Sequence, residues 1–184
     1  MKKSYYSKVS EILISKEEIN KGISKASKWI DNEYKDVNEP VLLIGILKGC
    51  IPFLGQLTTK LEIDVELEFM IVSSFKGTQS AIGMPEIIKD IDSDVKGKHI
   101  LLVEDIIDSG YTIKYVIDKI KERKPASIKI ITFLSKDGNR KVDLKPNYTC
   151  FSIPDKFIIG FGLDYKEKYR NYEFVGVLKK EFLD

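Results

Sequence analysis

Hydrophobic residues follow two patterns along the chain, one typical of amphipathic helices and the other of buried strands. Apolar side chains recur at helical spacing at Ile19, Ile23, Ala26 and Ile30, and Ser15 and Glu18 resemble a capping box before them. This pattern predicts a helix over residues 16–34. Residues 41–47, and residues 100–103 of a predicted strand over 99–103, are instead continuous apolar runs, which are typical of strands buried on both faces of a sheet.

The same alternation of helix and strand continues through the rest of the chain. Apolar spacing predicts further helices over residues 51–61 and from 113 to about 125, and strands over residues 65–71, 85–90, 127–134, 148–153, 157–159 and 175–178. Strands that alternate with helices favour a parallel sheet with helices on both faces. Residues 73–84 are small, polar and glycine-containing, so we expect a mobile loop long enough to cover a site.

Composition restricts the class of protein. The chain has 184 residues, enough for one domain with a sizeable core, and its net charge of +2 is too small to indicate a nucleic-acid partner. Its apolar runs are too short for a membrane span, and its first residues lack the apolar core of a secretory signal. Because Cys50 and Cys150 lie far apart, disulfide and zinc sites are weakly supported, and we expect a cytoplasmic location.

The most informative segment is residues 100–112. Its apolar run leads into Glu104 and Asp105, where open α/β sheets bind ligands beyond the strand ends. Ser109-Gly110-x-Thr112 then supplies hydroxyls and free N–H groups at a helix start, as in phosphate sites. Taken singly, the acids could be a solvated edge and the glycine a simple turn. Together they predict a sugar-phosphate site, with acids for ribose hydroxyls or Mg²⁺.

Residues 103–112 also resemble the phosphoribosyl pyrophosphate (PRPP) binding motif of type I phosphoribosyltransferases. The chain resembles the hypoxanthine-guanine group of that family from about residue 10 to residue 180. Further motifs fall in the family's order and spacing, at residues 47–49, 73–75, 123–127, 153–157 and 162–165. The resemblance implies an α/β type I phosphoribosyltransferase fold, with a mostly parallel sheet flanked by helices, a small hood and a mobile flap loop.

The resemblance also implies a domain organisation and an activity. One domain would span residues 1–184, with a core over about 36–155 and a hood from about 1–15 and 155–184. The implied reaction is the Mg²⁺-dependent transfer of ribose 5-phosphate from PRPP to N9 of hypoxanthine or guanine, which salvages these purines as IMP or GMP. The implied partners are small molecules, with neither nucleic acid nor membrane, and the chain would form a homodimer or homotetramer.

The PRPP motif carries the first set of implied roles. Asp108 resembles the residue that faces purine N7 as general acid or base; its alternative role is a helix N-cap. The 5′-phosphate would be held by Asp108, Ser109, Gly110, Tyr111 and Thr112, with Tyr111, a position where relatives vary, contributing its backbone N–H. Glu104 and Asp105 would contact the ribose hydroxyls, which Mg²⁺ shares with the pyrophosphate.

The remaining motifs carry the other roles. Lys48, Gly49 and Arg170 would bind pyrophosphate, and the bond between Leu47 and Lys48 would be cis. Lys136 would donate to purine O6, Phe157 would stack on the base, Ile158 would supply backbone contacts, and Asp164 would hold a second Mg²⁺ beside the purine. Ser74 and Phe75 would form the flap, where the family commonly has Ser-Tyr. Without the resemblance, Lys48-Gly49 could be a turn and Phe157 a core aromatic.

Competing hypotheses remain open at this point. A non-enzymatic regulator could keep the PRPP motif, and a related enzyme could use adenine, orotate or uracil. The set Asp108, Lys136, Asp164 and Arg170 argues against the regulator, and Lys136 favours a 6-oxopurine. A dinucleotide oxidoreductase is disfavoured because Gly160 and Gly162 lie late in the chain without the third glycine. A structural role is expected for His99, whereas Cys50 could be exposed and reactive or buried.

Overall fold

A computed structural model of the chain describes residues 7–73 and 85–183. Its strands are β1 (Val9–Ile14), β2 (Val41–Leu47), β3 (Val65–Ser73), β4 (Glu86–Lys89), β5 (His99–Ile107), β6 (Ser127–Ser135), β7 (Tyr148–Ser152), β8 (Ile158–Ile159) and β9 (Val175–Leu178). Its α-helices are α1 (Lys16–Glu33), α2 (Ile51–Thr58) and α3 (Tyr111–Lys121). The predicted flap residues Ser74 and Phe75 lie outside the described residues.

The main sheet has six strands in the order β4-β3-β2-β5-β6-β7. All neighbouring pairs are parallel except β3 with β4, so the prediction of a mostly parallel sheet is confirmed. Side chains along β2 alternate between two cores: Leu43 packs with α1 and α2, whereas Leu42 and Ile44 pack with α3. Helices therefore cover both faces, which explains why β2 is apolar throughout.

Helix α1 begins as the sequence predicts. The Ser15 side chain accepts a hydrogen bond from the Glu18 N–H at 3.3 Å, and the Glu18 carboxylate accepts one from the Ser15 N–H at 2.8 Å. This reciprocal capping box satisfies two backbone donors at the helix start. The predicted apolar stripe of the helix is buried in the core.

A second, three-stranded antiparallel sheet is formed in the order β1-β9-β8. The hydrophobic pattern did not predict β1, because only Val9 and Ile14 of its residues are buried and Ile12 is exposed. The strand is instead stabilised by pairing with β9, which is remote in sequence. The assignment of these terminal segments to a hood stays a prediction.

Two predicted boundaries near the site were wrong. Strand β5 continues to Ile107 rather than ending at residue 103, because β6 pairs with it as far as Ile107 and Ser135. Glu104 and Asp105 therefore lie within the strand and are held by its ladder. Helix α2 ends at Thr58, where the hydroxyl of that residue bonds back to the Leu54 carbonyl at 3.0 Å. Within the described ranges, no helix has the length and apolar character needed to cross a membrane.

Candidate active site

The start of α3 forms a pocket of about 480 Å³ at the carboxyl end of β5. Its lining includes Asp108, Ser109, Gly110 and Thr112. Gly110 is the N-cap, with φ at 89°, and a Cβ there would lie 2.8 Å from a methyl of Val142. No side chain in the described part of the chain caps this helix, so its first N–H groups stay available to an anion.

The position of Gly110 also decides between two roles for Asp108. Because Gly110 is the N-cap, the alternative that Asp108 caps the helix is wrong. The side chain of Asp108 is half-exposed, and its carboxylate lies 3.9 Å from the ammonium of Lys136. Tyr111, whose side chain is exposed, is the first residue of the helix.

Glu104 and Asp105 form an acidic pair, and Glu104 lines the same pocket. The Glu104 Oε2 atom is buried and has no hydrogen-bond partner among the described residues. Burial, followed by the negative charge of Asp105, raises the pKa of Glu104 well above its usual value. Burial also raises the pKa of Asp105, although hydrogen bonds from Glu104 and from the Ile106 N–H oppose the rise. An unpartnered carboxylate oxygen of this kind fits a cation or a donated hydroxyl.

The loop after β2 lies directly against these acids. The peptide bond between Leu47 and Lys48 is cis, as predicted. A Cβ at Gly49 would overlap the Asp105 carboxylate, and one at Gly162 would overlap the Gly49 carbonyl oxygen. The loop is therefore enclosed between β5 and the turn at Gly162.

Cys50 follows this loop and is buried. Burial, with the nearby charges of Glu104 and Asp105, raises the pKa of its thiol to about 12. The alternative that Cys50 is exposed and reactive is therefore wrong, because the reactive thiolate is disfavoured.

Lys48 and Arg170, the two cationic residues predicted to bind pyrophosphate, both pair with Glu167. The Arg170 guanidinium donates to the Gly162 carbonyl at 2.8 Å and pairs with Asp164 at 2.9 Å. Lys48 and Arg170 each pair with Glu167 at 3.2 Å. The structure thus brings Lys48, Arg170 and Asp164 together through ion pairs.

Of the predicted purine residues, Lys136 lies near Asp108, at 3.9 Å between their charged groups. Lys136 follows β6, and its ammonium donates to Asp155 at 2.9 Å, with the side chain only 11% exposed. The Phe157 ring is 44% exposed and meets the edge of Tyr165 at 5.4 Å, so the core-aromatic alternative for Phe157 is wrong. Ile158 is buried, and its backbone pairs with Val177 in the second sheet.

Comparison with known proteins agrees with this geometry. Residues 9–166 match the model of the phosphoribosyl transferase domain, which covers most of the chain. The chain belongs to the phosphoribosyltransferase family. It is 44% identical over 173 residues to the hypoxanthine-guanine phosphoribosyltransferase of Streptococcus pneumoniae, covering 94% of this chain and 95% of that protein.

Two further relatives support the same family. The Bacillus subtilis hypoxanthine-guanine phosphoribosyltransferase is 43% identical over 171 residues, covering 93% of this chain and 94% of that protein. The crystal structure of a Staphylococcus aureus hypoxanthine phosphoribosyltransferase superposes with a TM-score of 0.92 at 34% identity, covering 98% of this chain and 97% of that one. The type I phosphoribosyltransferase fold predicted from the sequence is thereby confirmed.

Several residues of this phosphoribosyltransferase site were missed by the sequence argument. Arg140 donates to the Asp108 carbonyl at 2.9 Å and to the Ser135 hydroxyl at 2.8 Å, and the Lys141 N–H donates to the Ser109 carbonyl at 2.9 Å. Asn139 and Lys141 also line the pocket at the start of α3. The basic pair after the turn at residues 137–139 was the available signal, because cations beside a predicted phosphate loop favour anion binding. Glu167 had no such signal.

His99 lies at the opposite end of β5 from the acids. Its Nδ1 atom is 2.8 Å from the Ser127 hydroxyl, and its ring meets Tyr34 edge-on at 6.3 Å. These contacts join the starts of two strands and support the structural role that the sequence predicted for this histidine.

Proposed function

We propose that this phosphoribosyltransferase transfers ribose 5-phosphate from PRPP to N9 of hypoxanthine or guanine, releasing pyrophosphate and yielding IMP or GMP. One observation carries the proposal. Asp108 lines the phosphate pocket and lies 3.9 Å from Lys136, so a single residue joins the phosphate end of the site to the base end. The names of the curated relatives support the same activity.

In the proposed reaction, different residues bind the 5′-phosphate, stabilise the pyrophosphate and accept the proton. The start of α3, with Ser109, Gly110, Tyr111 and Thr112, holds the 5′-phosphate through N–H groups and hydroxyls. Lys48, Gly49 and Arg170 stabilise the charge that develops on the departing pyrophosphate. As N9 bonds to the anomeric carbon of the ribose, the purine loses one proton, and the Asp108 carboxylate accepts it at N7.

The base would be recognised by the exposed Phe157 ring and by Lys136. Phe157 offers a face for stacking, and the backbone at Ile158 borders it. Lysine has only donors, so it matches the 6-oxo group of hypoxanthine and guanine and leaves the 6-amino group of adenine facing another donor. Specificity for 6-oxopurines follows from that mismatch.

The acidic residues fit Mg²⁺. Carboxylate oxygens are its preferred ligands, and the buried, unpartnered Oε2 atom of Glu104 beside Asp105 matches this chemistry. In the ranges 7–73 and 85–183 no three His, Cys, Asp or Glu side chains converge as a metal site. We propose that Glu104 and Asp105 would hold one Mg²⁺ through the ribose hydroxyls and that Asp164 would hold a second. When bound, the ions would neutralise pyrophosphate charge.

Turnover with separate bases tests the proposed function. The purified protein is mixed with PRPP and Mg²⁺, and hypoxanthine, guanine, xanthine and adenine are offered one at a time while nucleotide formation is followed. We expect rapid reaction with hypoxanthine and guanine, a far slower reaction with adenine, and loss of activity with a chelator. Binding of PRPP without turnover of any base would instead support the regulator hypothesis.

Replacing Lys136 by Gln is expected to reduce the preference of the enzyme for hypoxanthine over adenine. The change removes a charged donor to O6, so kcat/KM for hypoxanthine should fall by about 10- to 100-fold, whereas kcat/KM for adenine should not fall. Lys119→Gln is the matched control, because Lys119 pairs with Glu122 on the outer surface of α3. Equal losses with both bases would show that Lys136 does not read the 6-position.

We also propose that the chain forms a homodimer or homotetramer. Ile51 and Leu67 are about half exposed and border an apolar groove of about 640 Å³ that also includes Leu54 and Phe69. An apolar surface of this kind is typical of a protein contact. We expect sedimentation equilibrium to give a mass of at least two chains, and Ile51→Glu to lower that mass. A monomeric wild-type protein would contradict the proposal.

A further inference from the structure

The carboxylate of Glu167 lies between the two cations that would bind pyrophosphate. A single oxygen, Oε2, is 3.2 Å from the Lys48 ammonium and 3.2 Å from the Arg170 guanidinium. Lys48 and Glu167 are 119 residues apart in sequence, so this contact joins the loop after β2 to the turn after Asp164. An anion thus already bridges the two groups whose expected ligand is a larger anion.

The backbone holds Glu167 in this place. Its N–H donates to the Asp164 carboxylate at 2.9 Å, and its φ of 63° is a left-handed conformation that few side chains adopt. Lys48 and Arg170 each donate a hydrogen bond to the Glu167 carboxylate at 3.2 Å. Asp164, Glu167 and Arg170 therefore form one turn that presents a carboxylate to Lys48.

We infer that Glu167 is an internal competitor for pyrophosphate, which sets the affinity of the site for PRPP and for the released product. The inference rests on the proposed function. When the pyrophosphate group binds, the carboxylate must leave the position between Lys48 and Arg170, since two anions there would repel each other. When the product leaves, the same carboxylate replaces it and limits the unbalanced positive charge.

The ion pair between Glu167 and Lys48 is exposed, which suits its exchange for contacts with pyrophosphate. The side chains of Glu167 and Lys48 are 64% and 59% exposed, so their ion pair is screened by water and is readily broken. Arg170 keeps its bonds to the Gly162 carbonyl and to Asp164 without Glu167. Removal of the Glu167 charge should therefore leave the guanidinium in position.

The test is direct binding of pyrophosphate in the presence of Mg²⁺, measured by calorimetry on the full chain, wild type against Glu167→Gln. We expect the variant to bind pyrophosphate about three- to tenfold more tightly, because two exposed ion pairs no longer compete with the ligand. The KM for PRPP should fall by a similar factor, and inhibition by added pyrophosphate should strengthen. Glu173→Gln is the matched control: Glu173 is also 64% exposed, but it pairs with Lys16.

The outcomes separate this inference from the proposed function. If the wild type neither binds pyrophosphate nor forms nucleotide, the proposed function fails. If the wild type turns over normally but Glu167→Gln binds pyrophosphate equally well or more weakly, the competitor role is overturned. Weaker binding would mean that Glu167 orders Lys48 and Arg170 for the ligand. The same gain in Glu173→Gln would reduce the effect to general electrostatics and would also overturn it.

Discussion

Replacing Asp108 by Asn is expected to lower kcat for hypoxanthine by about 100- to 1000-fold, with little change in KM for PRPP. The substitution keeps the size and polarity of the side chain but removes the group that accepts the N7 proton, and positioned proton transfer contributes a factor of this size. The fold should be unaffected, because Gly110, and not Asp108, caps α3, and the Asp108 side chain is half-exposed.

Single-turnover measurement of nucleotide formation checks this prediction, since it separates chemistry from product release. Asp118→Asn is the matched control, because Asp118 pairs with Lys114 on the outer face of α3. A loss of less than tenfold in Asp108→Asn would mean that the proton leaves by another route.

The sequence predicted those parts of the fold in which local pattern and tertiary packing agree. Strand β2 is apolar at nearly every position because both of its faces are covered, and its bounds were predicted correctly. Strand β1 was missed because its only fully buried residues are Val9 and Ile14, one at each end, and because it depends on β9 for its hydrogen bonds. Pairing between segments so distant in sequence leaves no periodic signal in either one.

In the candidate site, too, local pattern alone could predict only the residues that are close together in the sequence. The PRPP motif could be located because its acids, hydroxyls and glycine are adjacent in the chain, and the structure places them around one pocket. Glu167 contacts Lys48, 119 positions away, and local spacing cannot reveal such a contact. Arg140 contacts Asp108 across 32 positions, and its only sequence signal was its basic character beside the predicted phosphate loop. The roles of individual site residues stay predictions until the variants are measured.

Gly49→Ala is the second substitution for which we expect a large effect, a fall of about 100-fold or more in kcat/KM for PRPP. A Cβ at position 49 would overlap the Asp105 carboxylate, which is fixed within β5 by the strand ladder and by the Ile106 N–H at 2.9 Å. The loop after β2 must therefore move away from the acids. A displacement of about 1 Å in a group that positions substrate costs about a hundredfold in rate.

The neighbouring Gly55 in α2 offers a control with the opposite expectation. Beyond its chain neighbours and the backbone of its own helix, no described residue has a heavy atom within 4 Å of a Cβ built at Gly55. Gly55→Ala should therefore keep full activity and gain about 0.5–1 kcal/mol of stability from the better helix residue. Thermal unfolding of both variants separates the two effects. If Gly49→Ala stays folded and active, the loop after β2 can move away from Asp105 at little cost. If Gly49→Ala is folded but no longer turns over PRPP, while Gly55→Ala is fully active, then pyrophosphate binding requires this loop to lie close to Asp105.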